Sequence, residues 1–124
     1  MKKEIKIVVA GGRDFIDYNL LSKTLDDVII KLKAKGYEEI SICSGKARGA
    51  DSLGEKYAEA NNITVNSMPA QWEKFGKSAG YIRNEEMAKC GKLVIAFWDG
   101  YSRGTKHMID LAHKYKRNIL VFRY

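Results

Sequence analysis

Short apolar runs alternate with helical periods along the whole chain, and this alternation constrains the fold more than any other feature. Ile5–Ala10 (IKIVVA), Glu39–Cys43 (EISIC), Ile63–Ser67 (ITVNS), Leu93–Trp98 (LVIAFW) and Ile119–Phe122 (ILVF) are brief and bounded by turn residues, as buried parallel strands are. Between the first two, Leu21, Leu25, Val28, Ile29 and Leu32 repeat at helical spacing, ending at Gly36. Ala50–Asn61 and Ala79–Cys90 read as further helices, and a loop at Asp99–Arg103 precedes a fourth that runs through Lys114. Met68–Ser78 reads as a loop. Five strands alternating with four helices predict an α/β domain spanning 1–124, with a parallel sheet and helices on both faces. At 124 residues, 45% hydrophobic with one proline, the chain can bury one continuous core.

In such a sheet, ligands bind outside the carboxyl ends of the strands. The unusual stretches all fall there: GGRDF (11–15), SGKARGAD (44–51), MPAQWEKFGKS (68–78) and DGYSRGT (99–105). The opposite loops carry ordinary turn chemistry. The net charge of +7 favours anionic partners. Lys31, Lys33, Lys35, Lys114, Lys116 and Arg117 sit at helix tails, where cations suit the helix dipole. The loop cations Arg13, Lys46, Lys77, Arg48 and Arg103 have no such explanation.

Glycine-rich loops ahead of helices offer free amides and suit phosphate. Gly11, Gly12, Ser44, Gly45, Gly49, Gly100, Ser102, Gly104 and Thr105 are therefore candidate ligand contacts. The spacing fits neither GxGxxG nor GxxxxGK[ST], which excludes those dinucleotide and P-loop modes. Asp14 and Asp51 are each candidates to cap or orient a loop or to accept from ribose hydroxyls or a base, Asp51 leaning to structure because it falls in a helix's first turn, and Asp99 is a further candidate contact. Gly80, Arg83, Asn84 and Met87 share a helical face, so Arg83 and Asn84 should face the same edge, and a buried Arg83 needs an acidic or phosphate partner. Trp72 and Tyr101 are candidate platforms for a nucleobase, whereas Trp98 should be core. Tyr18, Tyr37, Tyr115 and Tyr124 read as exposed aromatics. Cys43 and Cys90 make no disulfide framework, no Cys/His cluster has metal-binding spacing, and the first apolar run is too short for a signal peptide or membrane span. A cytoplasmic protein with no metal and no required cofactor is expected.

With GGRDF, SGKARGAD, PAQW…GKSAG…RN (69–84) and FWDGYSRGT (97–105) in order, the chain resembles the SLOG superfamily, in its small YspA-like, YpsA-related branch. The resemblance covers nearly the whole chain. It implies a Rossmann-like fold with strand order 3-2-1-4-5, a nucleotide-derived ligand, a homo-oligomer, and a phage or bacterial setting that includes defence. Relatives in that superfamily include cytokinin-activating phosphoribohydrolases, molybdenum cofactor carriers and the DNA-processing protein DprA. Two departures stand out. The branch usually reads SGGARGAD, and Lys46 replaces its second glycine. The phosphoribohydrolases read PGGxGTxxE, and Met108 stands at the glutamate, where it cannot act as acid or base. Hydrolysis of a nucleoside monophosphate would then have to recruit Asp14, Asp99 or Asp110. Binding is the leading expectation, with glycosidic hydrolysis and nucleic-acid binding behind it.

Overall fold

A computed structural model describes residues 2–124. Five parallel strands form one sheet: β1 (Glu4–Gly11), β2 (Glu39–Ser44), β3 (Thr64–Ser67), β4 (Leu93–Trp98) and β5 (Asn118–Arg123). Their order is β3-β2-β1-β4-β5, the arrangement expected. Helices α1 (Tyr18–Ala34), α2 (Ala50–Ala60), α4 (Ala79–Cys90) and α5 (Arg103–Lys114) form the crossovers. The stretch read as a loop after β3 is partly helical. It holds a one-turn helix, α3 (Trp72–Phe75), and a 3-10 turn at Gly76–Ser78. The Gln71 carbonyl starts this helix by accepting from the Lys74 and Phe75 amides at 3.1 and 3.0 Å.

Strand β1 is buried on both faces because it lies at the sheet's centre. Its period of two sends Ile5, Ile7 and Val9 into one core with α1 and α2. Val8 and Ala10 go into the other, with Met87, Met108 and Leu111 from α4 and α5. Strand β4 divides likewise, with Ile95 and Phe97 on the first side and Val94 on the second. Each fully buried aliphatic or aromatic side chain contributes about 1.5–3 kcal/mol. The chain reverses direction across the sheet between β1 and β4, so a cleft opens above their carboxyl ends.

Aromatic rings pack beneath the loop after β1, on the α1 and α2 side of the sheet. Phe15 stacks on Phe97 with centroids 4.6 Å apart, Phe97 on Phe122 at 5.6 Å, and Tyr124 meets Phe15 edge-on at 4.9 Å. Above them, the loops after β1 and β2 lock together. The Ala50 amide donates to the Gly12 carbonyl at 3.3 Å, and Gly49 adopts φ +76° directly against it. A Cβ at Gly49 would collide with the Gly12 carbonyl oxygen and lie 2.8 Å from Arg13 Cα. Only glycine meets both demands.

Gly49→Ala should therefore lower stability by on the order of 2 kcal/mol or more, through the left-handed backbone and the collision together. Urea denaturation should show a lower midpoint with an unchanged slope. An unshifted midpoint would mean that the two loops do not depend on this contact.

Candidate ligand-binding site

The cleft above β1 and β4 is a cavity of about 460 Å³. Gly11, Gly12, Arg13 and Asp14 enter from the loop after β1, and Ala47 and Asp51 from the loop and first turn after β2. Arg83, Asn84 and Met87 line it from α4, and Asp99, Ser102, Gly104, Thr105 and Met108 from the far side. A second hollow of about 350 Å³ adjoins it, bounded by Gly45, Lys46, Arg48, Pro69, Ala70 and Trp72. Arg13, Ala47 and Arg83 border both. The sequence candidates thus converge at one edge but divide between two chambers.

Their local chemistry differs from the sequence expectation at several points. Lys46 does not face the ligand space alone. Its ammonium bonds Glu55 Oε1 at 2.5 Å, while Ser44 Oγ, buried, donates to Glu55 Oε2 at 2.7 Å and accepts from the Lys46 amide at 3.2 Å. Burial opposes ionisation of Glu55, but these bonds outweigh it and hold its carboxyl below the usual value. Lys46 also has φ +62°, so its lysine is strained where the branch's usual glycine would be at ease. A Cβ at Gly12 would meet the Tyr124 hydroxyl and lie 2.7 Å from Asp14 Oδ1, so glycine here leaves room for the bond between those two side chains.

Arg83 finds its partners within the chain. Its Nη1 donates to the Gly45 carbonyl and its Nε to Asn84 Oδ1 at 2.9 Å, with the Asp51 carboxylate close by. Because Asn84 Oδ1 is thereby occupied, its Nδ2 faces the Gly104 carbonyl (3.4 Å) and His107 Nδ1 (3.3 Å). Asp51 accepts from the Ala47 amide at 3.2 Å. Burial pushes its carboxyl up from 3.8 to about 6, against the pull of that amide and of Arg83.

The remaining carboxylates separate clearly. Asp99 accepts from the Tyr101 and Ser102 amides, both at 2.8 Å. The Ser102 and Tyr101 bonds hold its carboxyl below the usual range, so it is suited to shaping a loop rather than giving up a proton. Asp110 lies outside the cavity, on the exposed side of α5, bonded to Lys106 at 2.7 Å. It is the weakest of the three hydrolytic candidates on position alone. Asp14 does line the cavity and accepts from the Tyr124 hydroxyl at 2.5 Å.

Several candidates stay at the margin. Lys77, Gly100 and Arg103 line neither hollow, and Gly100 is packed beneath the Arg123 guanidinium. Tyr101 is 86% exposed and also lines neither, which leaves Trp72 as the platform beside the site. Trp98 is only half-buried, donating from Nε1 to the Ser102 carbonyl at 3.1 Å. At the start of α5, Ser102 Oγ accepts from the Thr105 amide, leaving the Arg103 and Gly104 amides without an acceptor among the described residues. Tyr18 and Tyr37 lie under Lys56 and Lys3, and Tyr115 donates to Glu85 at 2.5 Å, so these tyrosines are engaged within the chain. Two partners of site residues, His107 beside Asn84 and Tyr124 beside Asp14, were not among the sequence candidates for the site. His107 follows Arg103 by one helical turn and was legible in principle, whereas Tyr124, 110 residues from Asp14, carries no local signal.

Fold and site together define a Rossmann-like α/β domain with a charged, two-part cleft at its topological switch point. Residues 5–75 match the YAcAr family, described as the YspA, cpYpsA-related SLOG family, and the chain belongs to it. The Gene 61 protein of Mycobacterium phage D29 is 34% identical over 115 residues, covering 88% of this chain and 89% of that one. The fold is similar to that of DNA processing protein A from Helicobacter pylori, whose solved structure concerns single-stranded DNA binding. That likeness has a TM-score of 0.63 at 21% identity, covering 94% of this chain and 64% of the other, so this chain spans under two thirds of that protein's structure. Among the described residues, no helix is long and apolar enough to cross a membrane.

Asp51 gives the site a pH signature. Its folded value near 6 exceeds the ordinary 3.8, so the folded state binds its proton more tightly than the unfolded state does. Its contribution is most favourable below about pH 4 and declines as pH rises to about 6, by roughly 2–3 kcal/mol. Asp51→Asn should flatten that decline when stability is measured by urea denaturation from pH 4 to 7. An unchanged slope would mean that Asp51 is not desolvated.

Proposed function

We propose that the protein binds a nucleotide or nucleotide-derived phosphorylated ligand at the carboxyl ends of β1 and β4, as a sensor, carrier or sequestering protein. The observation that carries this reading is Arg13. Arg13 borders both hollows, and its guanidinium has neither a carboxylate nor a hydrogen-bond partner among the described residues. Every neighbouring cation except Arg48 is already engaged. A free arginine at a concave, amide-lined edge suits the planar, two-point binding of phosphate.

The nucleoside belongs in the larger cavity. Asp14 and Asp51 can accept from ribose hydroxyls or base amines, and the open amide of Gly104 can meet an acceptor atom. The family supports a ligand of this class. Binding is favoured over glycosidic hydrolysis because Met108 lies buried against the cavity where the superfamily's hydrolases carry glutamate. A second reading, single-stranded nucleic acid, draws on the fold shared with DNA processing protein A. It predicts affinity that falls steeply with salt as counterions are released.

Isothermal titration with AMP, GMP, CMP and UMP should find at least one binder. Arg13→Ala should weaken it by roughly 10-fold or more, as expected for a lost charge-assisted hydrogen bond. Equal affinity in the variant would remove Arg13 from the site, and no binding by any of the four would overturn a mononucleotide-sized ligand.

A further inference from the structure

The two hollows differ in charge in a way that specifies the ligand's architecture. The larger cavity is bordered by three carboxylates, Asp14, Asp51 and Asp99, against two cations. The smaller has no carboxylate among its bordering residues and four cations. Lys46 is neutralised by Glu55 and Arg83 is bonded to Gly45 and Asn84. Arg13 and Arg48 remain, both exposed and both without partners among the described residues. A phosphate is repelled by the carboxylates of the first hollow and attracted by the pair of free arginines at the boundary and floor of the second.

Beyond those arginines, the second hollow ends on Trp72. The side chain is 54% exposed, and it stands over Gly80, where an added Cβ would lie 3.6 Å from Trp72 Cη2. The indole's Cη2 edge thus lies against the start of α4, while much of the side chain remains open to solvent. A supported, solvent-facing indole beside an anion site is a stacking platform for a second base. The other described hollows lie elsewhere. One is between α1 and α2 around Tyr57 and Asn61, and one is beside Cys90 and Lys92, and neither shares a lining residue with the two chambers.

We propose that the ligand is a dinucleotide, two nucleosides joined through phosphate. One nucleoside occupies the carboxylate-bordered cavity, the linking phosphate lies between Arg13 and Arg48, and the second base stacks on Trp72. This rests on the nucleotide-binding reading above and adds to it the second unit, its position and a limit on length.

The test compares affinities within a length series: AMP, GMP, CMP and UMP, the 5′-phosphorylated dinucleotides built from each, and the matching tetramers and decamers. The best dinucleotide should bind about 10-fold or more tightly than its mononucleotide, with no further gain at four or ten units. Trp72→Ala and, separately, Arg48→Ala should each bring the dinucleotide-to-mononucleotide ratio toward one. Unchanged near-ultraviolet circular dichroism and melting temperature would verify the fold of each variant. Equal binding of mono- and dinucleotide, or a ratio that survives both substitutions, overturns the dinucleotide while leaving the nucleotide site standing. Affinity that climbs through the decamer overturns it in favour of a single strand. Failure of every probe overturns both readings.

Discussion

The close approach of Gly49 to the Gly12 carbonyl is the constraint on which the site depends. It fixes the loop after β1 against the start of α2, and both surfaces that meet the ligand space descend from it. On one side of the contact, Arg13 and Asp14 project from a backbone with no freedom to retreat. On the other, α2 begins with its first amide bonded to that backbone rather than to a side-chain cap. The aromatic stack of Phe15, Phe97 and Phe122 holds the same loop from below. Glycine at 49 thus acts through packing and backbone geometry, and its effect on ligand chemistry is indirect.

Charge is then distributed by pairing. Charged side chains crowd the loops after β1 and β2 and the adjoining helices, among them Arg13, Asp14, Lys46, Arg48, Asp51, Glu55 and Arg83. Most neutralise each other. Lys46 answers Glu55, and Arg83 lies beside Asp51 while bonding the Gly45 carbonyl. Such pairing leaves a small surplus in a defined place, the two free arginines at the boundary and floor of the smaller hollow. The overall charge of +7 reports little of this, because many of those lysines lie on helix tails far from the cleft.

The architecture was legible because strand burial writes itself into the chain as continuous apolar runs, and Ile5–Ala10 and Leu93–Trp98 are buried on both faces. Which edge carries the specialised loops followed from that pattern. Individual side-chain roles were less legible, since each depends on a partner distant in sequence. Lys46 looked like a phosphate ligand until Glu55, nine residues on, took its ammonium. Tyr124 is the exposed aromatic it looked like, but its hydroxyl, raised above its usual value by burial and by Asp14, also donates to a carboxylate that lines the cavity. Asp51 was recognisable as a first-turn acid, but its desolvation arises from tertiary packing around α2 and α4. The short helix α3 was hidden because a single turn is too brief for a periodic signal.

The central claim is that a nucleotide-type ligand is held at the carboxyl ends of β1 and β4, and amide chemical shifts test it most directly. In a ¹⁵N-labelled sample titrated with AMP, GMP, CMP and UMP, the account predicts saturable shifts confined to 11–14, 45–51, 83–87 and 99–108. Shifts centred instead on the lysine-bearing tails of α1 and α5, or no shifts with any of the four, would contradict it.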